Sequence, residues 1–103
     1  MFRGTTPTLH LTLSGIPVDT LKDLYLTFHQ SSGEWTLKND RLTIDTENNK
    51  ITVKLTEKET LALNNERVSL QLRATTLDGN VIATSKATVS VNDVFYEEVI
   101  GDE

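Results

Sequence analysis

Two histidines are the residues of this 103-residue chain most able to bind a metal ion. His10 and His29 each fall on the polar side of a predicted strand, so we interpret them first as ordinary surface residues. They become candidate metal ligands only if their two strands are neighbours, and a metal site needs further convergent ligands. Neither the HxH nor the HExxH spacing is present. We therefore expect surface histidines and no metal site.

Carboxylate pairs and serines give equally little support for catalysis. Asp45 with Glu47, and Glu57 with Glu59, lie in a predicted turn and a predicted helix cap, which explains them structurally. No Gly-x-Ser-x-Gly elbow surrounds a serine, and the glycines are scattered singly, so neither a triad nor a phosphate-binding loop is indicated. The chain has no cysteine for a disulfide or a thiolate ligand. We predict a non-enzymatic protein with no catalytic residue and no cofactor.

Short strands are the elements that must position all of these residues. Apolar and polar residues alternate with a period of two, which is typical of half-buried strands, in residues 8–13, 24–29, 34–38, 41–45, 50–55 and in two arms within 66–91. Thr56-Glu57-Lys58-Glu59 has the spacing of a capping box and predicts one or two helical turns near 56–63. The pattern predicts an all-β fold, an immunoglobulin-like antiparallel β-sandwich of about seven strands with one short helix.

The chain is organised around residues 66–91, which we predict to form a long β-hairpin. Asp78-Gly79 lies between the two alternating arms and indicates a type I′ turn with positive φ at both residues. This turn predicts the pairs Ala74–Ala83, Leu72–Ser85, Leu70–Ala87 and Val68–Val89. A three-residue loop would instead pair Leu72 with Thr84. The two-residue turn is expected unless a bulge resets the register, and it leaves Ile82 on the polar face.

Net charge divides the chain into two parts. Of the 15 acidic residues five lie in 93–103, whereas all 10 lysines and arginines come earlier, so the body is formally neutral and the final segment carries the whole charge of -5. A neutral body argues against nucleic acid as a partner. No apolar run reaches the length of a signal peptide or of a bilayer-spanning helix, so no membrane association is expected. We predict a single β-sandwich domain over 1–92 and an acidic, partly apolar tail over 93–103.

Both ends of the chain contain apolar residues that are candidates for binding a partner. One interpretation of the tail is a solvated acidic end that aids solubility. The other is a segment that pairs with a neighbouring subunit's sheet edge or docks on its surface, by strand addition. The candidate partner-binding residues are Phe2, Arg3, Val94, Phe95, Tyr96, Val99 and Ile100.

Several short stretches resemble small proteins encoded in prophages of Gram-positive bacteria, among their virion and tail genes. Phe2-Arg3-Gly4-Thr5-Thr6-Pro7-Thr8 resembles the start of that family, and Leu26-Thr27-Phe28-His29-Gln30 resembles its second strand. Residues 53–63 and 68–79 are similar to its Leu-Thr-x-x-x-Thr-Leu and Gln-Leu-Arg-x-x-Thr-x-Asp-Gly segments. A more distant similarity is to the N-terminal sandwich domain of baseplate upper proteins. The pattern covers most of residues 2–91 and contains no catalytic residue.

The resemblance implies a phage structural or accessory protein of the tail or baseplate region. Its partners would be other virion proteins, with a homo-oligomer through terminal arms or sheet edges also open, and it would reside in the virion or in the cytoplasm of the bacterial host during assembly. The alternative is a ligand-binding or carbohydrate-binding module, with Trp35 and Tyr25 as stacking platforms. An enzyme is a third class, which a fold alone does not exclude.

Overall fold

The computed structural model describes residues 1–13, 15–84, 86–92, 94 and 100–101. Its strands are β1 (Thr8–Thr12), β2 (Leu21–Gln30), β3 (Gly33–Lys38), β4 (Thr43–Asp45), β5 (Lys50–Lys54), β6 (Val68–Thr76), β7 (Val81–Ala83) and β8 (Ala87–Val89). One helix, α1 (Glu57–Leu61), and two 3-10 turns, Val18–Thr20 and Asn39–Arg41, complete the described elements. The predicted all-β class with one short helix is confirmed. None of the described helices is long and apolar enough to cross a membrane.

The strands form two antiparallel sheets, as a sandwich requires. The smaller sheet has the order β1-β5-β4. In the larger sheet the order is β3-β2-β6, and the outer side of β6 pairs with β7 near the hairpin loop and with β8 further along. Because β2 and β3 are joined by a tight turn they remain in one sheet, and the chain then passes to the other sheet before β4. The two-sheet sandwich is thus confirmed. The order of the strands within each sheet was not predicted from the sequence.

The core lies between the sheets and is filled by the inward residues of the alternating strands. Leu26, Ile51 and Leu72 are fully buried, and each apolar side chain of this size contributes about 1.5–3 kcal/mol on burial. Phe28 is also buried, and its ring stacks on that of Trp35 with the centroids 4.2 Å apart and the planes 11° from parallel. Trp35 therefore packs against the core from the inner side of β3.

The predicted register of the long hairpin is correct far from the loop and wrong near it. Val68 pairs with Val89 and Leu70 with Ala87, as expected. Close to the loop the pairing is shifted by one residue and joins Arg73 to Ala83, Ala74 to Ile82 and Thr75 to Val81. Ser85, which the prediction placed opposite Leu72, lies outside the described residues.

The shift arises because the connection is a three-residue loop, Leu77-Asp78-Gly79. Thr76 donates its N–H to the carbonyl of Asn80 at 2.8 Å and closes the loop. Gly79 has φ of 90°, but Asp78 is not among the residues with positive φ, so the type I′ prediction is wrong. A three-residue loop with one left-handed glycine is a common alternative connection for an Asp-Gly pair.

An irregularity between β7 and β8 restores the original register. The N–H of Thr84 donates to the carbonyl of Leu72 at 2.9 Å, and the N–H of Leu72 donates to Thr84 Oγ1 at 3.2 Å. The Thr84 hydroxyl therefore takes the place of a backbone acceptor where the ladder is interrupted. The shift also turns Ile82 onto the face shared with buried Ala74, where it packs against the core instead of lying on the polar face.

Candidate partner-binding surface at the chain termini

Helix α1 is the rigid element on which both chain ends converge. Its predicted capping box is confirmed: Thr56 Oγ1 accepts from the N–H of Glu59 at 3.2 Å, and Glu59 Oε1 accepts from the N–H of Thr56 at 2.8 Å. The Arg41 guanidinium donates to both oxygens of the same carboxylate at 2.7 and 2.8 Å. This hydrogen bonding lowers the pKa of Glu59 and raises that of Arg41. Helix α1 has only five residues and is too short to be stable alone. Its capping box and the two bonds from Arg41, which lies in the 3-10 turn Asn39–Arg41, hold it in place.

The N-terminal arm is fastened to α1 by a buried threonine. Thr60 is completely buried, and its Oγ1 accepts from the N–H of Thr5 at 3.0 Å and donates to the carbonyl of Thr5 at 2.8 Å. At the next helix residue, Arg3 Nη2 donates to the carbonyl of Leu61 at 2.7 Å. The N-terminal arm is therefore hydrogen-bonded to the helix of its own chain at two points.

The same arm pairs with the end of the hairpin. Phe2 and Asn92 form a parallel bridge, in which the N–H of Asn92 donates to the carbonyl of Met1 at 2.6 Å and the N–H of Arg3 donates to the carbonyl of Asn92 at 2.9 Å. The N-terminal ammonium of Met1 also donates to the carbonyl of Ser90 at 2.8 Å. These bonds join the first residues of the chain to residues about ninety positions later.

The described part of the tail returns to the start of α1. The N–H of Ile100 donates to Glu57 Oε2 at 2.9 Å, and Glu57 is only 6% exposed. Gly101 lies against the same carboxylate, so a side chain at this position would require Glu57 to shift. Val94 is half-buried, and its Cγ2 lies 3.7 Å from the position that a Cβ on Gly4 would take.

Four of the predicted partner-binding residues lie in the described segments at the two chain ends, in two different states, and two of them, Arg3 and Ile100, are bonded to α1. Arg3 and Val94 are half-buried against their own chain. Phe2 is 55% exposed and Ile100 79% exposed, although the backbone of each is hydrogen-bonded. We call the exposed side chains of Phe2 and Ile100, together with helix α1, to which Arg3, Thr5 and Ile100 are hydrogen-bonded, the terminal surface. The other predicted residues, Phe95, Tyr96 and Val99, lie outside the described residues.

Sequence reasoning missed the residues that hold this surface together. Glu57, Thr60 and Leu61 were assigned only to a predicted helix, yet they bind Ile100, Thr5 and Arg3 respectively. The capping box located the helix correctly. No local pattern indicates that a helical threonine will be buried and bonded to a segment 55 residues earlier.

The two histidines do not meet the condition set for a metal site. His10 lies on β1 of the smaller sheet and His29 on β2 of the larger one, so their strands are not neighbours. His29 Nδ1 instead lies 3.1 Å from Glu34 Oε2, and both side chains are exposed. Within the described residues no group of three or more His, Asp or Glu side chains could hold a metal ion.

Carboxylates elsewhere have structural roles. Asp45 accepts from Asn48 through both its backbone N–H, at 3.2 Å, and its side-chain amide, at 2.9 Å. The side-chain bond is the main cause of a lowered pKa of Asp45. The predicted explanation of Asp45 as a turn residue is confirmed.

The two aromatic residues of the carbohydrate hypothesis lie on opposite faces of the larger sheet. Trp35 shares the inner face with Phe28, its cross-strand partner. Tyr25 is 39% exposed and is paired with Lys38 and Arg73, whose side chains are also exposed on the outer face. Since successive side chains on a strand alternate between faces, these two rings cannot form one stacking platform.

In comparisons with known proteins, neither a protein family nor a curated protein matches this chain. The terminal surface presents two exposed apolar side chains on backbone that folding has already hydrogen-bonded, so less backbone entropy would be lost if they bound another molecule.

Proposed function

We propose that this protein is a non-enzymatic structural or accessory protein of a phage tail or baseplate, which acts by binding other virion proteins. The observation that carries the binding role is the convergence of both chain ends on α1, with Phe2 55% and Ile100 79% exposed. Contiguous exposed apolar patches mark protein interaction sites, and we propose that these two side chains form part of one. The phage assignment is supported by the resemblance of residues 2–8, 26–30, 53–63 and 68–79 to prophage tail-region proteins.

The terminal surface contacts its partner through Phe2 and Ile100 as apolar anchors. Interfaces commonly combine such an apolar centre with a polar rim. The segment 93–103 also carries five acidic residues and no basic one, so the partner is expected to be basic. The protein acts in the virion, or in the cytoplasm of the bacterial host while the virion is assembled.

Capture of the virion proteins encoded beside this gene tests the proposal. The full chain is immobilised, each neighbouring protein is passed over it, and dissociation constants are compared for wild type, Phe2→Ser and Ile100→Ser. Truncating a central apolar anchor costs more than about 1 kcal/mol, so each variant should weaken binding about fivefold or more.

Leu77→Ser is the matched control, because Leu77 is 69% exposed but lies in the hairpin loop. This variant should bind as the wild type does. The proposal is refuted if no virion protein is captured, or if Leu77→Ser weakens binding as much as the two terminal variants do.

A further inference from the structure

The four sheet edges differ in how they are protected against pairing with another chain. Native edges are usually shortened, bulged or given charged side chains. The β3 edge carries Glu34 and Lys38, both exposed, and β4 has only three residues and ends in Asp45. The β7–β8 edge is interrupted at Thr84. Only β1, among the described strands, is an uninterrupted edge of five residues with no charged residue and no proline.

The free side of β1 presents backbone groups of alternate residues. In an antiparallel pair the residues alternate between those that exchange hydrogen bonds with the partner and those that face away. The carbonyl of Pro7 accepts from the N–H of Leu55, and the N–H of Leu13 donates to the carbonyl of Asn49, which places the odd-numbered residues in the ladder with β5. The N–H and C=O groups of Thr8, His10 and Thr12 therefore point to the free edge.

The sequence of this edge is the same in both directions. Residues 8–12 are Thr-Leu-His-Leu-Thr, a palindrome centred on His10. A two-fold axis through His10 pairs β1 with β1 of a second copy, so that His10 faces His10 and Thr8 faces Thr12. In a two-fold interface residue i faces residue j and residue j faces residue i, which this register satisfies, and the palindrome makes the residues of each facing pair identical. The outward backbone groups of Thr8, His10 and Thr12 all find partners in this register.

We propose that two copies of this chain pair through β1, which joins their smaller sheets into one continuous antiparallel sheet. The occupant of the edge is a second copy because this register sets threonine against threonine and leucine against leucine and brings no Lys, Arg, Asp or Glu face to face, while the outward backbone groups of both strands are paired. The proposal concerns a different surface from the terminal one and does not depend on it.

The side chains of the pair are compatible with this arrangement. Leu9 and Leu11 are half-buried on the inner face, and the two-fold pairing keeps both copies' leucines on that face. Beside the edge lies a cleft of about 440 Å³, to which Leu13, Ile16 and Ala87 contribute. The second copy's leucines face this cleft and extend the core across the junction.

Electrostatic repulsion across the junction is small. Lys54 of β5 faces Thr8, and Lys50 of β5 faces Thr12. In the proposed dimer, Thr8 of one copy faces Thr12 of the other, so two threonines lie between the lysines of the two copies in each cross-strand row. Three strand spacings amount to about 14 Å, which exceeds the Debye length of about 8 Å at physiological salt. No Lys, Arg, Asp or Glu of one β1 strand faces its counterpart on the other.

Light scattering on the full chain tests the pairing first. The wild type should have twice the 11.5 kDa mass of one chain. His10→Lys places two ammonium groups directly opposite each other, and His10→Pro removes an outward N–H without touching the β1–β5 ladder. Each variant should halve the mass. Thr43→Lys adds the same charge in the same cross-strand row at the opposite edge of the sheet, and it should remain dimeric.

Oxidative cross-linking fixes the register and does not require a disruptive variant. The chain has no cysteine, so each single-cysteine variant has one thiol. Residues facing each other in a hydrogen-bonded pair have Cα atoms about 5.5 Å apart, within disulfide range, so His10→Cys should yield a covalent dimer. Thr8→Cys should not, because the two copies of that residue lie about 13 Å apart along the strands.

A monomeric wild type, or a His10→Cys variant that does not cross-link, overturns the proposal. So does a dimer that cross-links equally through Thr8→Cys, because its register is different. If the wild type is monomeric and His10→Pro loses a virion partner, the edge pairs with that partner and self-pairing is refuted. If His10→Pro is monomeric but still captures the virion partner, both proposals stand, whereas a dimer that captures nothing refutes only the proposed function.

Discussion

Replacing Thr60 should detach the N-terminal arm from α1 and measure how strongly the terminal surface is held. Thr60 is fully buried, and its hydroxyl both accepts from and donates to the backbone of Thr5. Thr60→Val retains the shape of the side chain but leaves these two backbone groups without their partner. Thr60→Ser retains the hydroxyl and removes only a methyl group.

The size of the effect follows from the two bonds. Each contributes about 0.5–1.5 kcal/mol net. Because Thr5 is exposed, water can hydrogen-bond in part to its N–H and carbonyl once the Thr60 hydroxyl is removed. We therefore expect Thr60→Val to lower the free energy of unfolding by about 2 kcal/mol. Thr60→Ser loses one buried methyl group and should cost about 1 kcal/mol.

Urea denaturation of both variants provides the measurement. With a slope of about 1–2 kcal/mol per molar urea, the midpoint should fall by about 1–2 M for Thr60→Val and by roughly half as much for Thr60→Ser. Hydrogen exchange at the amides of Arg3 and Asn92 should accelerate in Thr60→Val, because these groups lie in the bridge that the arm completes. A Thr60→Val protein as stable as Thr60→Ser, with unchanged exchange, would show that the hydroxyl does not hold the arm.

Three further perturbations test the contacts that shape the fold around the site. Arg41 holds the pKa of Glu59 below its ordinary value of 4.5, so this stabilisation is complete above that pH and is lost as the pH falls below it. Glu59→Gln should cost about 1–2 kcal/mol at pH 7, and urea titrations at several pH values should show a smaller loss of stability in acid than in the wild type. Thr84→Val removes the acceptor of the Leu72 N–H at 3.2 Å and should lower the free energy of unfolding by about 2 kcal/mol in the same assay. Asn49→Ala removes three side-chain bonds, to Val18 N–H and to the carbonyls of Leu13 and Ile16, at a residue with φ of 51°, and calorimetry should show a loss of about 2–4 kcal/mol.

Each of these expectations has a result that contradicts it. An unaltered acid profile in Glu59→Gln would mean that the bond to Arg41 contributes nothing to folding. Thr88→Val is the control for Thr84→Val, because Thr88 is exposed on β8 and should cost less than about 0.5 kcal/mol. Equal losses in the two threonine variants would remove the special role of Thr84. Asn49→Gly relieves the positive φ, so a full recovery of stability there would exclude the three side-chain bonds as the cause.

Alternation of apolar and polar residues is a local signal, and it located most of the strands. Leu24, Leu26 and Phe28 lie on the buried face of β2, as their spacing predicts. The pairing of β2 with β6 brings together residues about fifty positions apart and has no local signature, so the strand order came only from the structure. Arg41 was expected in a strand but lies in a 3-10 turn, where its bond to Glu59 outweighs the alternation.

The hairpin shows how one misplaced residue carries information. Ile82 on the polar face was a violation of the pattern that the two-residue turn predicts, and it marked the segment where the register shifts. Because side chains alternate with a period of two, adding one residue to the loop turns Ile82 inward, and the irregularity at Thr84 returns Val89 to its predicted partner. The candidate site was found in the same partial way: composition indicated Phe2 and Ile100, but their anchors depend on contacts distant in sequence.

The bridge between Phe2 and Asn92 also determines when the N-terminal arm can complete its contacts during synthesis. A ribosome releases residue 2 long before residue 92, and at about 5–20 residues per second the first residues wait several seconds for their partner. Strands β1 and β5 can pair in the meantime, whereas the arm can complete its contacts only after the last strand has emerged. A protein that recognises the terminal surface would therefore distinguish chains in which residue 92 has emerged and paired with the arm from shorter nascent chains.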